Sequence, residues 1–524
     1  MSRIVRELWP KRLYSTERLL STAVFPSILE EYSEETVHHN ATPKEYAEIP
    51  GPKQLPIIGN TWRFAPIIGQ YKITDLDKLM WSLWKNYGKI VKVGGLIGHP
   101  DLLFVFDGDE IKNVFRREED MPRRPSMPSL HYYKEILQKD FFEGNAGTWP
   151  KWDTFRKQVQ QIVLPPSTAK KYGQPLNSIA AEFLQRMEES LNEKQELPDS
   201  FLYEIYKWAC CQSSLDTRLG CLDTSLPENS ESQKIISSIN TFFWNVAEVE
   251  LKMPIWKIYE TRSFKKYIAA LEDFRILCMK HITNALENVS EVCNKKEEDV
   301  SIVERIFEKT RNSKVAAVLA LDLMLVGVDT TSIALASTLY QLSQNQEKQQ
   351  KLYEELRSVL PTTNSDVDCY AQENLHYLKA CIKETLRMYP VIIGNGRSLN
   401  SDAIIGGYKV PKGTHVIFPH LVVSNIEYYF DQPNEFIPER WLKTEMLIDG
   451  CPVKHKKIHP FVSLPFGYGR RACLGRRFAE MELQILLAKI FRKYKVDYDY
   501  GPLTYEITPT YVPKEPLKFK LTLR

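Results

Sequence analysis

Between Val315 and Leu342 the chain is built almost entirely of Ala, Leu, Val and small hydroxyl residues, with Asp322 and Asp329 its only charges. A helix that is apolar all round has two resting places, a bilayer or the middle of a protein. The two carboxyl groups and the polar run Asp329-Thr330-Thr331-Ser332 exclude the bilayer, where such groups are costly. The segment therefore demands a thick shell of protein around it, and that demand constrains everything else. Gly327, in the middle of the run, costs a helix roughly 1 kcal/mol relative to Ala, so a packing or ligand reason is expected for it. The Thr330 hydroxyl could bond back to the preceding turn or face a ligand, and the helix alone leaves both open.

The rest of the chain can supply that shell. Its 524 residues are 43% hydrophobic and 26% charged, with 26 Tyr, 23 Phe and 10 Trp. This is ordinary globular composition and excludes wholesale disorder, a collagen-like repeat or a polytopic membrane protein. With 69 basic against 66 acidic residues the formal net charge is +3, which argues against nucleic acid as a partner. Length alone suggests several domains, yet no low-complexity linker or repeat interrupts the chain from Pro50 to Arg524. Short alternating runs at Ile90–Val93, Leu102–Phe106, Tyr408–Val410 and His415–Ile417 read as strands. Most of 150–350 reads as helix, with longer loops near 120–148 and 218–232. The expected fold is mainly α with small β-sheets, in a single large domain. The nine cysteines are scattered, odd in number and without a CxxC pair, which suits a reducing compartment.

Residues 1–24, MSRIVRELWPKRLYSTERLLSTAV, are rich in Arg and hydroxyl side chains. That is transit-peptide composition and predicts a mitochondrial address, with processing near Tyr14/Ser15. Glu7 and Glu17 depart from the acid-poor pattern. No apolar run there approaches the roughly 20 residues of a membrane span, so no N-terminal anchor is expected. Residues 25–49 read as linker, and Pro50-Gly51-Pro52 as the stiff start of the folded unit, 50–524.

The most informative segment is Pro465-Phe466-Gly467-Tyr468-Gly469-Arg470-Arg471-Ala472-Cys473-Leu474-Gly475. Its glycines permit tight turns and close approach of a flat ligand. Freed backbone N–H groups, Arg470, Arg471 and the N-terminus of a following helix are all expected to lower the Cys473 pKa. A reactive nucleophile and a metal ligand want the same surroundings, and the loop does not separate them.

FGYGRRACLG resembles the FxxGxRxCxG signature of cytochrome P450 enzymes at each fixed position: Phe466, Gly469, Arg471, Cys473 and Gly475. Glu384 and Arg387 are similar to the family's ExxR, and Phe436–Trp441 to its PERF/PERW segment. Trp152 and Arg156 form a WxxxR, and Gly327–Thr331 resembles the oxygen-binding motif, with Val326 where Ala or Gly is commoner. The resemblance runs from about Pro50 to the C-terminus. It implies the cytochrome P450 fold enclosing haem b, with Cys473 as axial thiolate and metal ligand.

Further roles follow from the resemblance. Leu474 and Gly475 would donate backbone hydrogen bonds to the sulfur, and Phe466 would cover the proximal haem face. Trp152, Arg156, Arg397 and Arg471 are candidates for the two haem propionates, since planar Arg forks suit carboxylates; for Arg397 a surface salt bridge is the alternative. Glu384, Arg387 and Arg440 would form a rigid buried network rather than a catalytic pair. Asp329 and Thr330 would manage protons, a hydroxyl beside an acid being able both to donate and to accept.

Lys379 and Lys383 lie four apart on one helix face, and Arg476 and Arg477 open the helix after Cys473; together they would steer an acidic partner. The implied partner is a [2Fe–2S] ferredoxin of the adrenodoxin kind, reduced by an NADPH-dependent reductase. Residues 242–267 carry Phe242, Phe243, Trp244 and Trp256 among lysines, and serve either as an interfacial membrane contact or as an amphipathic core helix. The expected activity is insertion of one oxygen atom from O2 into a lipophilic small-molecule substrate, xenobiotic or steroid-like. Expected pocket contributors are the 120–148 loop, Val326, Ile392–Gly396 and Thr508–Tyr511. The sequence is most similar to the insect mitochondrial branch, which implies the matrix side of the inner mitochondrial membrane, peripherally attached. The competing readings are a haem-thiolate isomerase or peroxidase, a microsomal monooxygenase and a non-catalytic haem sensor.

Overall fold

The computed structural model describes residues 42–65, 69–118, 122–124, 127–137, 144–147, 150–211, 221–223, 227, 230–287, 300–442, 457–514 and 516–524. The transit-peptide segment 1–24 and residues 25–41 of the expected linker lie outside that set. The chain divides into two units, Met1–Lys44 and Glu45–Arg524, and the second carries the fold. It starts earlier than the Pro50 expected from sequence. Ile49 is buried, and Lys92 donates to the Tyr46 carbonyl at 2.9 Å while lying over the Tyr46 ring.

The apolar segment forms one helix, Ser313–Gln344, called here the central helix. The Asn312 side chain caps it by accepting from the backbone N–H groups of Lys314 and Val315, which satisfies two donors the first turn would otherwise leave unpaired. Among the described residues it is the one helix long and apolar enough to cross a membrane, and 72% of its most apolar stretch is buried inside the protein. The helices Phe201–Cys211, Arg262–Glu287, Ile302–Thr310, His376–Met388 and Arg476–Lys493 pack around it. Its polar residues survive burial by bonding back to the preceding turn. Ser332 donates to the Val328 carbonyl at 2.7 Å, and Thr338 to that of Ala334 at 2.7 Å.

One stretch of the central helix is not covered. Val326 is 50% exposed, and a Cβ added at Gly327 would meet no atom within 4 Å. Met324, Leu325, Val328 and Asp329 on either side are buried, so the opening interrupts an otherwise enclosed part of the helix.

Helix makes up 57% of the described residues, and the sheets are small. The largest has the order β1-β2-β6-β3, built from Ile90–Val93, Leu102–Val105, His415–Phe418 and Asn395–Ser398. Its β2–β6 pair is parallel and the other two pairs are antiparallel. Three two-stranded ribbons complete the set: β4 (Ala403–Ile405) with β5 (Tyr408–Val410), β7 (Tyr494–Asp497) with β10 (Lys520–Leu523), and β8 (Tyr505–Ile507) with β9 (Tyr511–Pro513). All four strand segments expected from alternation are present, the second and fourth with their C-terminal ends moved by one residue. The four-stranded sheet matters to the site because β3 carries Arg397.

Residues 242–267 divide into two populations. Phe242 and Phe243 are buried in the helix Glu231–Glu250, and Trp256 stacks on Phe264 at 4.9 Å between ring centres. These aromatic side chains are core. The outward apolar surface is made instead by Trp244, Leu251, Met253, Ile255, Ile258 and Tyr259, beside Lys252 and Lys257.

Candidate functional site

The cysteine loop is shaped by two glycines in the left-handed region, Gly467 at φ 70° and Gly469 at φ 71°, where a side chain would strain the backbone. They fold the chain back so that Cys473 N–H donates to the Phe466 carbonyl at 2.8 Å. Gly475 has an ordinary φ of −84° and caps the helix Arg476–Lys493. A Cβ placed on it would meet nothing, so this part of the loop borders open space. Cys473 itself has an exposed surface, while the surrounding protein still desolvates its thiol. Burial pushes the Cys473 pKa above its ordinary value, and the pull of the Gly475 N–H, Arg156 and Arg476 in the other direction does not offset it. The expectation that the loop by itself holds a thiolate is therefore corrected: desolvation of the anion outweighs the surrounding dipoles and charges.

Guanidinium groups crowd around this loop. Arg156 reaches from the helix Lys151–Val163 to donate to the Ala472 carbonyl at 2.8 Å. Arg471 donates to the carbonyls of Gly147 and Pro122 and lies 3.6 Å over the Trp152 ring. Burial, together with Arg124, Arg397 and Arg156 nearby, pushes Arg471 down to about 9. Arg397 is buried at 3% exposure and pairs with Glu118, so it makes neither a surface salt bridge nor an unshared anion site. Glu118 is held above the usual carboxylate range by burial, against the pull of Arg397. Among the described residues that act on Arg471, the guanidinium groups of Arg124, Arg156 and Arg397 stand against the carboxylate of Glu118.

Three buried donors in the same place have no hydrogen-bond partner among the described residues: Trp152 Nε1, Arg156 Nε and Arg471 Nη2. Unpaired buried donors are rare and costly. Three of them beside a surplus of positive charge describe a binding site for anionic groups.

Glu384, Arg387 and Arg440 come together as a closed network. Glu384 accepts from Arg387 at 2.8 and 2.9 Å, from Arg440 at 3.0 Å, from Trp441 Nε1 at 2.8 Å and from Ile437 N–H at 3.2 Å. The remaining Arg387 donors reach Ser424, Asn425 and Glu435. Glu384 and Arg387 are fully buried. Every charge there is paired, and the network ties the helix His376–Met388 to the Pro438–Trp441 turn.

On the central helix Thr330 Oγ1 donates to the Val326 carbonyl at 2.9 Å, so the back-bond is made while the hydroxyl remains on the uncovered stretch. Asp329 is buried and turned the other way, accepting from Tyr206 and Thr510. Thr508 and Thr510 are both buried, so the Thr508–Tyr511 contribution to an open pocket is corrected: Thr510 is spent on Asp329. Ile392 is 41% exposed.

The four basic residues expected to steer an acidic partner, Lys379 and Lys383 on the helix His376–Met388 and Arg476 and Arg477 after the loop, share a region only in part. Lys379 and Arg476 both lie near Glu480, which pairs with Arg476 at 2.9 Å. Lys383 is exposed, whereas Arg477 turns to donate to the Leu164 carbonyl.

With this geometry in place, residues 49–523 match the family model of cytochrome P450. The chain belongs to the cytochrome P450 family. It is 58% identical to the probable cytochrome P450 49a1 of Drosophila melanogaster over 94% of this chain and 85% of that protein. Identity to the probable mitochondrial cytochrome P450 301a1 of the same fly is 47%, over 92% and 88%. To cytochrome P450 CYP12A2 of Musca domestica it is 32%, over 87% of each. The family is one of haem-thiolate monooxygenases, and the residues present fit that cofactor. The orphaned donors suit carboxylates, and the bare faces at Gly475 and Gly327 leave room for a flat group.

Sequence reasoning missed Arg124, Glu118, Tyr206 and Glu482, and it placed Thr510 at the pocket and not on Asp329. Arg124 sits in the 120–148 loop that was expected to line the pocket, and an Arg there was a usable signal. Glu482 is half-buried and reaches the Thr331 hydroxyl; its place on the helix that follows Cys473 was a faint clue. Nothing local marks Tyr206, or the pairing of Thr510 with Asp329.

Replacing Glu384 with Ala leaves Arg387 and Arg440 as buried unpaired cations, at a cost of about 3–5 kcal/mol. Purified Glu384→Ala protein is expected to hold little haem and to denature earlier than wild type. A fully coloured variant of unchanged stability refutes the account of this network.

Proposed function

We propose that this chain is a mitochondrial monooxygenase that places one oxygen atom from O2 into a lipophilic substrate, xenobiotic or steroid-like. Its electrons come from NADPH through a ferredoxin reductase and a [2Fe–2S] ferredoxin. The observation that carries the reading is the meeting, at one loop, of the Cys473 sulfur with the unpartnered donors of Trp152, Arg156 and Arg471. An isomerase or a haem sensor would share that loop, but would have no use for the buried acid at Asp329 beside the hydroxyl at Thr330.

In this reading the Cys473 sulfur would hold the haem iron, and the Gly475 N–H would tune that sulfur. Trp152, Arg156 and Arg471, joined by Arg124, would hold the propionates, and Arg397 would contribute as one half of its pair with Glu118. Phe466, half-buried and lying under the Arg476 guanidinium, covers the proximal side. Haem, when bound, supplies the one-electron and dioxygen chemistry that gives the family its activity. The chain's own residues do the remaining work. Val326 and the bare Gly327 leave room on the uncovered face of the central helix, and the apolar walls keep bulk water from it. Asp329 stores a proton on the buried side, and the Thr330 hydroxyl donates and accepts on the open side. Glu384, Arg387 and Arg440 keep the scaffold rigid.

Relatives named mitochondrial support the address, as does the basic, hydroxyl-rich composition of residues 1–24. The outward apolar residues at 251–259, interleaved with Lys252 and Lys257, support peripheral contact with the inner membrane on its matrix side. Lys379, Lys383 and Arg476 support docking of an acidic ferredoxin, with Arg477 contributing less because its side chain is engaged. Glu373 and Glu480 partly neutralise this face.

Three outcomes test the proposal. Reduced, carbon-monoxide-saturated protein is expected to show the red-shifted Soret band of a thiolate-ligated haem, and Cys473→Ala to lose it; a band kept in the variant ends the reading. Thr330→Ala is expected to consume NADPH into peroxide at the expense of product, measured as product formed per NADPH, and unchanged coupling removes Thr330 from the mechanism. Charge reversal at Lys379 and Lys383 is expected to weaken ferredoxin binding about 10-fold or more at low salt with the haem spectrum intact. Equal binding would place the docking face elsewhere.

A further inference from the structure

Asp329 is held from two sides by elements far apart in sequence. One carboxylate oxygen accepts from the Tyr206 hydroxyl at 3.1 Å and the other from Thr510 Oγ1 at 2.9 Å. Tyr206 comes from the helix Phe201–Cys211, and Thr510 from the turn between β8 and β9. All three residues are buried, at 2%, 7% and 0% exposure for Asp329, Tyr206 and Thr510. Successive residues on a helix point roughly 100° apart, which lets Asp329 face this dry side while Thr330 stays on the uncovered one.

Among the described residues, no charge in the surroundings balances the carboxylate. Lys207, next to Tyr206, is turned to Glu204 at 2.9 Å. From the helix Arg476–Lys493, Glu482 reaches Thr331 two residues along, and burial lifts it to about 8, so it is mostly uncharged at neutral pH. The turn between β8 and β9 contributes the hydroxyls of Thr508 and Thr510. Burial pushes Asp329 up to about 6, and the two hydroxyl donors work against that rise. A cation in their place would hold the acid ionised through the working range. Two neutral donors instead fix where the carboxyl sits and leave it able to take up and release a proton close to neutrality.

We propose that Tyr206 and Thr510 are positioning residues, which lock Asp329 onto the buried side of the central helix and set the pH at which it exchanges its proton. The inference rests on the reading of Asp329 as a proton store, and the test separates the two.

The experiment is an infrared pH titration of the full-length ferric holoprotein, following the carbonyl stretch of the protonated carboxyl that Asp329→Asn removes. In wild type this band is expected to vanish with a midpoint near pH 6. The hydroxyls stabilise the anion, so removing one must move the midpoint upward. Tyr206→Phe and Thr510→Val are each expected to raise it by about 1 pH unit, and Thr510→Ser, which keeps the hydroxyl, to leave it in place. Both replacements are close in volume to the native side chain, and the unshifted haem spectrum reports an intact fold. A midpoint unmoved in both variants overturns the proposal, as does an equal shift in Thr510→Ser. The same variants are then assayed for product formed per NADPH against pH. A coupling profile that follows the infrared midpoint supports both statements. A shifted midpoint with an unmoved coupling profile upholds the positioning role and counts against Asp329 as the proton source.

Discussion

Enclosure of the central helix is the condition on which the rest of this protein depends. Because Ser313–Gln344 is apolar on every side, burying it draws helices from most of the chain into a common shell, and the hydrophobic gain from that shell is the main force holding the fold together. Enclosure also sets what polar groups may do there. Hydroxyls must satisfy themselves against the helix backbone, as Ser332 and Thr338 do, and an acid must find donors or remain protonated. The break in that enclosure at Val326 and Gly327 is thus informative, since it shows where the shell was left open for something other than protein.

The cysteine loop meets a different cost. The guanidinium groups of Arg124, Arg156, Arg397 and Arg471 near the Glu118 carboxylate repel one another, and burial makes each harder to keep charged. Such an arrangement is stable when anionic groups enter it. The same holds for Cys473, whose anion is disfavoured by desolvation in the protein alone. A metal cation at the sulfur and carboxylates at the arginines would relieve both strains together, so this region is completed by its cofactor in much the way a zinc site is completed by zinc. The Glu384 network contrasts with it, every donor and acceptor being matched within the chain.

Much of the site could be read from sequence because its groups are local. Phe466 to Gly475 lie in one loop, Trp152 and Arg156 one helical turn apart, and Glu384 and Arg387 likewise. What escaped were partners set by long-range packing. Glu118 joins Arg397 across 279 positions, and Thr510 joins Asp329 across 181. Arg397 and Thr510 were noticed as residues, but their neighbours were not, and the neighbours changed what each one does. The aromatic cluster at 242–267 shows the same limit: composition marked the segment, while packing determined that Phe242, Phe243 and Trp256 lie inside.

By itself the sequence determined the helix-dominated class, the strand segments, the family and the short spacings that carry its chemistry, because periodicity and motif spacing are properties of neighbouring residues. The tertiary structure alone decided which donors stay unpaired at the cysteine loop, that burial outweighs the loop's dipoles at Cys473, and that Asp329 is held by two hydroxyls in place of a cation. Those outcomes turn on desolvation and on contacts between distant segments, and both exist only once the chain has closed around its central helix.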